Sequence, residues 1–413
     1  MATAPVETHT SDPIEALDPS FPPRFADGSI HPLMTRLRAE APVHYCSGSK
    51  YGPFWSITHH KDITEIEALP LIYSSESSRG GVSIVEPPAD RQGQAMEMFI
   101  AMDPPRHADK RRVVAPAFTP SEIARLGENI RVRTAARLDS LPRGEVFDWV
   151  KLVSTDLTTD MLAILFDFPW DERHKLPVWS DAITSIDLID NNPQERLNMM
   201  FEMAARFYQL WQERSNAEPA ADLLSMMIHS SALGQMDQIE FIGNMALLIV
   251  GGNDTTRNSM SGFIDAINRW PDQWEKIIAN PEIIPNAASE TIRWVSPVSH
   301  MRRTATQDVE FRGHQFREGD KIVMWYISGN RDEHVFEDGA RFIADRENAR
   351  RHLSFGYGVH RCVGARLAEL QIQVLISEMA ARNMKVELAG DVIRDPHPFV
   401  GIIKSVPVKI TRG

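Results

Sequence analysis

One cysteine stands where a glycine-rich, aromatic stretch meets a helical pattern. Cys362 follows residues 352–361, and an apolar-striped helix is predicted to begin directly after it. The N–H groups at the start of a helix favour a thiolate, which is a strong metal ligand. The other cysteine, Cys46, is far away in sequence, so a four-ligand structural zinc site fits poorly. A lone cysteine is usually a small buried hydrophobe, but a planar cofactor that takes one axial protein ligand, such as haem, also fits.

A second stretch places an acid and two hydroxyl residues inside a long helical pattern. The apolar period over residues 236–270 predicts a helix of about 34 residues, roughly 50 Å long, that Pro271 ends. Its middle holds poor helix formers, which predict a local kink or an opened hydrogen-bond ladder: Gly251, Gly252, Asp254, Thr255 and Thr256. The alternative interpretation is a plain helix-packing contact at the glycines.

Five residues around the cysteine resemble the haem-binding signature of the cytochrome P-450 monooxygenases: Phe355, Gly358, His360, Cys362 and Gly364. The resemblance implies that Cys362 is the thiolate ligand of the iron in haem b, with Phe355 packed near the sulfur. It also implies that the glycines let the loop approach the sulfur, and that His352 and His360 face the haem carboxylates.

The middle of the long helix resembles the oxygen-activation motif of the same family. The resemblance implies that the helix passes over the distal haem face at Gly251, that Thr255 hydrogen-bonds the activated oxygen, and that Asp254 relays protons from solvent. Neither a peroxide-using enzyme nor a non-catalytic haem sensor or electron carrier would need this acid–alcohol pair. Both remain as alternatives that the pair disfavours.

Other segments resemble the family's propionate sites and its structural Glu-x-x-Arg element. Three basic residues occupy the propionate positions: His107, Arg111 and Arg303. Arg302 is the competing choice for the second propionate. Glu290 and Arg293, three apart on one helix face, are assigned to structure and are expected to lock onto an arginine or histidine ahead of the cysteine.

The expected fold is mainly α with small β-sheets, the architecture of the cytochrome P-450 family. We expect residues 1–20 to be flexible and a single haem-binding domain to follow, with small sheets near residues 42–58, 300–327 and 385–411. The composition is that of a soluble globular protein, with 43% hydrophobic and 24% charged residues. The net charge of −12 gives a nucleic-acid role little support.

The cysteine count and the apolar runs bear on location. Two distant cysteines predict no disulfide framework and fit a reducing cytoplasm. The first 25 residues lack a signal-peptide pattern, and no run approaches the ~18 apolar residues that would span a bilayer. We therefore expect a cytoplasmic, monomeric protein without a membrane anchor.

The amino-acid sequences of residues 52–58, 98–105 and 251–262 resemble those of the bacterial branch of the family that hydroxylates the terminal carbon of medium-chain alkanes and fatty acids. A terpene, a steroid or another apolar molecule is the alternative substrate. Seven residues are expected to line the apolar pocket: Met98, Leu247, Val250, Val295, Val298, Met301 and Val400. His300 and Met96 are expected beside them, and residues 185–193 are a candidate lid.

The resemblance also implies partners. Dioxygen supplies the inserted atom, and a separate ferredoxin with its NAD(P)H-dependent reductase supplies the electrons, because 413 residues leave no room for a reductase domain. The expected docking face lies on the cysteine side, where five residues provide positive charge: Lys110, Arg112, Arg350, Arg361 and Arg366.

Overall fold

The computed structural model describes residues 12–85, 97–185, 188–189, 191–234 and 236–413. Helices dominate these residues, as the sequence predicted. Their bounds are α1 Pro23–Asp27, α2 Ile30–Glu40, α3 His60–Glu67, α4 Arg106–Val114, α5 Pro120–Asp139, α6 Thr155–Phe166, α7 Lys175–Thr184, α8 Pro193–Ser215, α9 Leu223–Ile228, α10 Gln238–Arg269, α11 Pro271–Ala279, α12 Ile284–Val295, α13 Tyr326–Gly329 and α14 Ala365–Ala381.

The strands are short and fall mostly where they were expected. They are β1 Val43–Cys46, β2 Phe54–Ile57, β3 Tyr73–Ser74, β4 Val146–Asp148, β5 Met301–Ala305, β6 Val309–Phe311, β7 His314–Phe316, β8 Lys321–Met324, β9 Lys385–Leu388, β10 Ile393–Arg394, β11 Ile403–Ser405 and β12 Pro407–Arg412. The largest sheet has the order β1-β2-β8-β5-β3, in which β2 and β8 run parallel and the other pairs antiparallel. The strand β4, which the sequence did not predict, pairs with β12.

Helix α10 is the axis of the helical part. It begins where the Asp237 carboxylate accepts a hydrogen bond from the Glu240 N–H, and it ends at Arg269, two residues before Pro271. Its contacts with α6, α7, α12 and α14 place it between two hydrophobic clusters, one that includes Phe263 and Ile292 and one that includes Met245 and Met161. The helix thus crosses the core from one side to the other.

The helix stays α-helical through its glycine and hydroxyl residues, so the predicted opening of the hydrogen-bond ladder is not seen. The polar side chains there bond to carbonyls four residues earlier in the same helix, as Thr255 does to Gly251 at 2.8 Å and Ser259 to Thr255 at 2.9 Å. These contacts satisfy the hydroxyl groups without breaking the helix. The long packed flanks on both sides outweigh the weak local propensity.

The N-terminal part differs from the expectation of a flexible segment. Leu17 is buried in a cluster with Phe25 and Leu33, and the Ser20 hydroxyl lies 2.6 Å from that of Ser49. Residues 1–11 and Met96 lie outside the described residues, as do Ile186 and two other positions of the candidate lid. Among the described helices, none is long and apolar enough to cross a membrane.

Candidate active site

The cysteine loop folds against the end of α3. The Cys362 N–H donates to the Phe355 carbonyl at 2.8 Å, which closes the loop just before α14. Gly358 has a φ of +67°, and a Cβ at this position would lie 2.6 Å from the Glu67 carbonyl oxygen. Only glycine fits here, because the backbones of the loop and of α3 approach too closely for a side chain.

The Cys362 sulfur lies among hydrogen-bond donors and cations. The residue has exposed surface, and the protein packed around the sulfur raises the pKa of the thiol by desolvation. The N–H groups of Gly364 and Ala365 and the charges of Arg111 and Arg361 act in the opposite direction and lower this pKa. A sulfur that faces backbone N–H groups and guanidinium charges is arranged to be a thiolate when it binds a metal.

A cluster of basic side chains lies beside this loop. The rings of His107 and His360 pack with their centroids 4.1 Å apart. Burial, then the charges of Arg111 and Arg303, lowers the pKa of His107 to about 4. Neither ring nitrogen of His360 has a hydrogen-bond partner among the described residues, although both are buried. Buried polar groups without partners are rare, so the cluster is shaped for an anion such as a carboxylate.

Arg303, and not Arg302, joins this cluster. The Arg303 charge depresses the pKa of both His107 and His360. Its guanidinium donates to Glu67 Oε1 at 3.0 Å and to the Arg302 carbonyl at 2.8 Å. Arg302 turns to the opposite side of β5 and donates to the Arg79 carbonyl at 3.0 Å. Successive side chains on a strand point to opposite faces, so only one of the two arginines can lie beside His107 and His360.

His352 lies apart from the basic cluster. Its Nδ1 accepts the Ser354 N–H at 3.2 Å, and its ring packs on Phe355 with centroids 5.2 Å apart. Burial, then the charges of Arg293, Arg361 and His60, lowers the pKa of His352 to about 3. These contacts place His352 on the inner side of the cysteine loop, and its expected role at a haem carboxylate stays a prediction.

One face of α10 is left partly uncovered by the surrounding residues. Leu247, Val250 and Thr255 are partly exposed, Gly251 is exposed, and all four recur at helical spacing on one side of a largely buried helix. A Cβ at Gly251 would meet open space. The Thr255 hydroxyl donates to the Gly251 carbonyl, so its oxygen lone pairs remain available to accept a hydrogen bond.

Asp254 adjoins Thr255 on the same turn, but its side chain is completely buried and bonds to α7. Its Oδ1 accepts from the Ser180 hydroxyl at 2.9 Å and from Arg257 Nη2 at 2.9 Å, and its Oδ2 accepts from the Thr184 hydroxyl at 3.0 Å. Burial raises the pKa of Asp254, and Arg257 partly offsets this effect. Arg257 also reaches Asp181, half of whose side chain is exposed, at 3.1 Å. These contacts connect the buried acid to the surface.

The remaining predicted pocket residues fall into two groups. Val298 pairs with Val400 in an isolated β-bridge, while Met98 and Met301 are partly exposed. Val295 packs on α10 instead, where a Cβ at Gly262 would lie 2.4 Å from it. Gly262 is seven residues, or about 10 Å, beyond Thr255 along the helix. Val295 therefore packs into the core at a distance from the exposed face of α10.

Backbone groups engage both ring nitrogens of His300, which was expected to face the substrate. It is fully buried, its Nδ1 lies 2.9 Å from the Pro398 carbonyl, and its Nε2 accepts the Ile84 N–H at 3.1 Å. Burial lowers its pKa to about 3, so the ring is neutral. With both nitrogens engaged, His300 ties the segment before residue 86 to the C-terminal turn.

Glu290 and Arg293 form the centre of a buried ionic network. Arg293 donates to both carboxylate oxygens of Glu290, at 2.6 and 2.8 Å, and also to the carbonyls of Asn330 and Gly339. Arg346 binds the same carboxylate at 3.0 and 3.1 Å. Arg346 is thus the arginine ahead of the cysteine onto which the pair was expected to lock.

Some residues of the site escaped the sequence reasoning. Glu67 binds Arg303, the Tyr326 hydroxyl and the Tyr357 N–H, while Arg257, Ser180 and Thr184 surround Asp254. Apart from Arg257, which lies within residues 251–262, none of these residues belongs to a segment that the sequence analysis singled out. Their only signal is the spatial contact itself.

The described residues fit a haem. A thiolate ligand at Cys362, an anion-binding cluster at His107, His360, Arg111 and Arg303, and an open helix face at Gly251 meet the needs of the iron, the propionates and the ring. The clearest sign of a haem site is the pair of His360 ring nitrogens without partners among the described residues. A ring N–H of His360 could donate a hydrogen bond to a propionate oxygen, which is an acceptor.

Comparisons with known proteins agree with this fit. The family model described as Cytochrome P450 matches residues 275–405. Linalool 8-monooxygenase of Pseudomonas putida is 36% identical over 403 residues, which cover 96% of this chain and 99% of that protein. The structure titled Cytochrome P450-153 from Novosphingobium aromaticivorans matches with a TM-score of 0.91 and 48% identity over 95% of this chain and 99% of that chain. CYP153D17 from Sphingomonas sp. PAMC 26605 matches with a TM-score of 0.89 and 52% identity over 96% and 99%. The chain belongs to the cytochrome P450 family, a family of monooxygenases that bind haem b through a cysteine thiolate.

Proposed function

We propose that this P450 monooxygenase hydroxylates the terminal carbon of medium-chain alkanes or fatty acids. The observation that carries the proposal is the apolar face of α10, where Leu247 and Val250 precede Gly251 and Thr255 on one side of the helix. Aliphatic side chains on this face suit a linear hydrocarbon. The Val298–Val400 bridge and Met301 supply further uncharged surface for its walls.

The reaction requires a proton supply and a geometric constraint. Cys362 would hold haem b, which would supply oxygen activation and take up the electrons. Thr255 Oγ1 accepts a hydrogen bond at the exposed face of α10, and the Asp254 carboxyl takes up and releases the proton that is passed inward. A terminal C–H bond is stronger than the neighbouring internal ones, so the internal bonds react first when both can reach the oxidant. The pocket must therefore hold the chain end-on.

The electrons are proposed to come from a ferredoxin that docks beside the cysteine loop. Arg112, Arg350, Arg361 and Arg366 are exposed there, and Tyr357 and Val359 add exposed apolar surface. Lys110 contributes less than the sequence suggested, because its ammonium group is 2.6 Å from Glu240 and mostly buried. A positive patch on a protein of net charge −12 would select an acidic partner.

The test begins with the optical spectrum of the haem protein. A strongly red-shifted band of the reduced, carbon monoxide-bound form is expected if Cys362 is the ligand. Decane, dodecanoic acid, linalool and a steroid are then added separately to the ferric form. A high-spin shift with the linear chains, followed by mass-spectrometric detection of the 1-alcohol or the ω-hydroxy acid, supports the proposal.

Other outcomes assign another substrate. The match to a linalool 8-monooxygenase makes an acyclic terpene the second candidate. A shift and a hydroxylated product with linalool or the steroid alone would keep the monooxygenase and overturn the linear-chain proposal. Leu247→Ala is expected to admit internal carbons and to increase subterminal alcohols, whereas Leu248→Ala, one residue further around the helix, serves as the matched control.

A further inference from the structure

Two histidines flank a buried carboxylate at the start of α3. His59 Nδ1 lies 3.1 Å from Asp332 Oδ2, and His334 Nδ1 lies 3.0 Å from Asp332 Oδ1. The two rings stand edge to face with centroids 5.1 Å apart. One ligand atom from each of the three side chains can be chosen so that all lie within 4.8 Å of one another.

This arrangement matches the ligand set of a borderline divalent metal. Two imidazole nitrogens and a carboxylate, with water in a fourth position, are a common zinc environment, with ligand distances of about 2.0–2.2 Å. Two ligand atoms on one ion then lie at most ~4.3 Å apart, which is slightly less than the 4.8 Å within which the three ligand atoms lie here. The His334 side chain is 79% exposed, so it can turn to close this small difference.

The carboxylate is already positioned for the task. Asp332 is buried, and each oxygen accepts one backbone hydrogen bond: Oδ2 from the His60 N–H at 2.8 Å and Oδ1 from the His334 N–H at 3.1 Å. Each oxygen retains a lone pair for a metal.

Nearby charges leave the carboxylate available. Arg38 is occupied by Glu333, with Nη2–Oε1 and Nε–Oε2 distances of 2.7 and 3.0 Å. The positive end of α3 opposes a cation, but this effect is worth less than the bonds from three ligands. The competing arrangement is a metal-free one in which both Nδ1 atoms carry protons and donate to Asp332.

We propose that His59, Asp332 and His334 form a binding site for Zn²⁺ or a similar divalent transition metal. Imidazole ligands disfavour Mg²⁺ and Ca²⁺, which prefer oxygen. The site lies outside the haem pocket, and it would clip the start of α3 to the turn that follows α13. That turn includes Asn330, whose side chain accepts the Leu353 N–H and donates to Ser354 in the cysteine loop.

The test is equilibrium dialysis of the haem-loaded, tag-free protein against micromolar zinc, with the bound metal measured by elemental analysis. Haem loading keeps Cys362 from acting as a zinc ligand. The wild type is expected to bind one equivalent, and zinc should raise its thermal midpoint. His334→Ala is expected to weaken binding by at least about tenfold and to abolish the thermal shift.

The controls make either result decisive. His314→Ala removes another exposed histidine from outside the cluster and is expected to bind zinc as the wild type does. His59→Ala should behave as His334→Ala does, since each removes one ligand. Absence of zinc binding in the wild type, or equal binding in wild type and His334→Ala, would overturn the proposal and leave the hydrogen-bonded arrangement.

Discussion

Glu67 and Arg303 form a buried ion pair, 3.0 Å between Oε1 and Nη2, although 236 residues separate them. The same carboxylate accepts the Tyr326 hydroxyl at 2.5 Å and the Tyr357 N–H at 2.8 Å. One acid therefore joins α3, β5, α13 and the cysteine loop. It also fixes the guanidinium that we propose for a haem propionate.

The first prediction concerns this pair. Glu67→Gln keeps the shape and some hydrogen bonds but leaves the Arg303 charge without its acidic partner. Because a buried charge that loses its partner is costly, we expect the free energy of unfolding to fall by about 3 kcal/mol. Denaturant unfolding of the haem protein measures it.

Glu65→Gln is the matched control two residues earlier in α3. Glu65 is partly exposed and pairs with Arg312 at the surface, so its loss should change the free energy of unfolding by less than about 1 kcal/mol. Equal effects of the two substitutions would show that the Glu67–Arg303 pair contributes no more than a surface ion pair.

The contrast between Cys362 and Glu67 shows what the sequence could predict. Cys362 belongs to a set of residues at fixed spacing within ten positions, and the spacing of apolar residues indicates α10. Both could therefore be predicted from the sequence. Glu67 is an ordinary acid at the end of a short helix, and its partners come from three distant segments. Neither spacing nor periodicity encodes such contacts.

Asp254 and His300 show a second limit. The motif identified Asp254, but not that it points to α7, because its partners Ser180 and Thr184 lie more than 65 residues away. His300 stands among apolar residues that suggest a pocket wall, yet its ring bonds to two backbone groups of other segments. Local sequence indicates which residues are special, whereas packing decides which way they face.

The second prediction separates oxygen activation from electron transfer. Thr255→Ala removes the hydroxyl from the exposed face of α10. We expect NADH consumption to continue, product formation to fall roughly five- to hundredfold, as for the loss of a hydrogen bond of about 1–3 kcal/mol, and hydrogen peroxide to rise. The measurement is product and peroxide per NADH oxidised in the reconstituted system.

Thr255→Ser restores the hydroxyl and should restore most of the coupling. Ser259→Ala, one turn further along α10, removes a hydroxyl that only bonds to the Thr255 carbonyl and should change little. Product yields that are the same in Thr255→Ala and the wild type would contradict a proton-relay role for Thr255.

The third prediction concerns the acid. Asp254→Asn keeps polar contacts with α7 but removes the group that can take and release a proton. We expect product formation to slow by about 100-fold or more and its solvent deuterium isotope effect to increase. Asp181→Asn should have a smaller effect, because Asp181 reaches Asp254 only through Arg257. An unchanged isotope effect in Asp254→Asn would argue against proton transfer by this residue.

The fourth prediction concerns stability against pH. The pKa of His300 is lowered to about 3 by burial, with smaller contributions from His397 and Arg302, whereas in the unfolded chain it is about 6.5. Between these values the unfolded state binds the extra proton, so the free energy of unfolding decreases as the pH falls below 6.5, by up to about 1.4 kcal/mol per pH unit. Above pH 6.5 this contribution is constant. His300→Gln removes one titrating group and should reduce the slope between pH 6.5 and 4.5 by up to about 1.4 kcal/mol per pH unit, even though it lowers stability at neutral pH. The remaining slope comes from other histidines whose pKa is lowered, such as His107 and His352. His314→Gln, at an exposed position, should keep the wild-type slope, and equal slopes in all three proteins would mean that His300 does not titrate in this way.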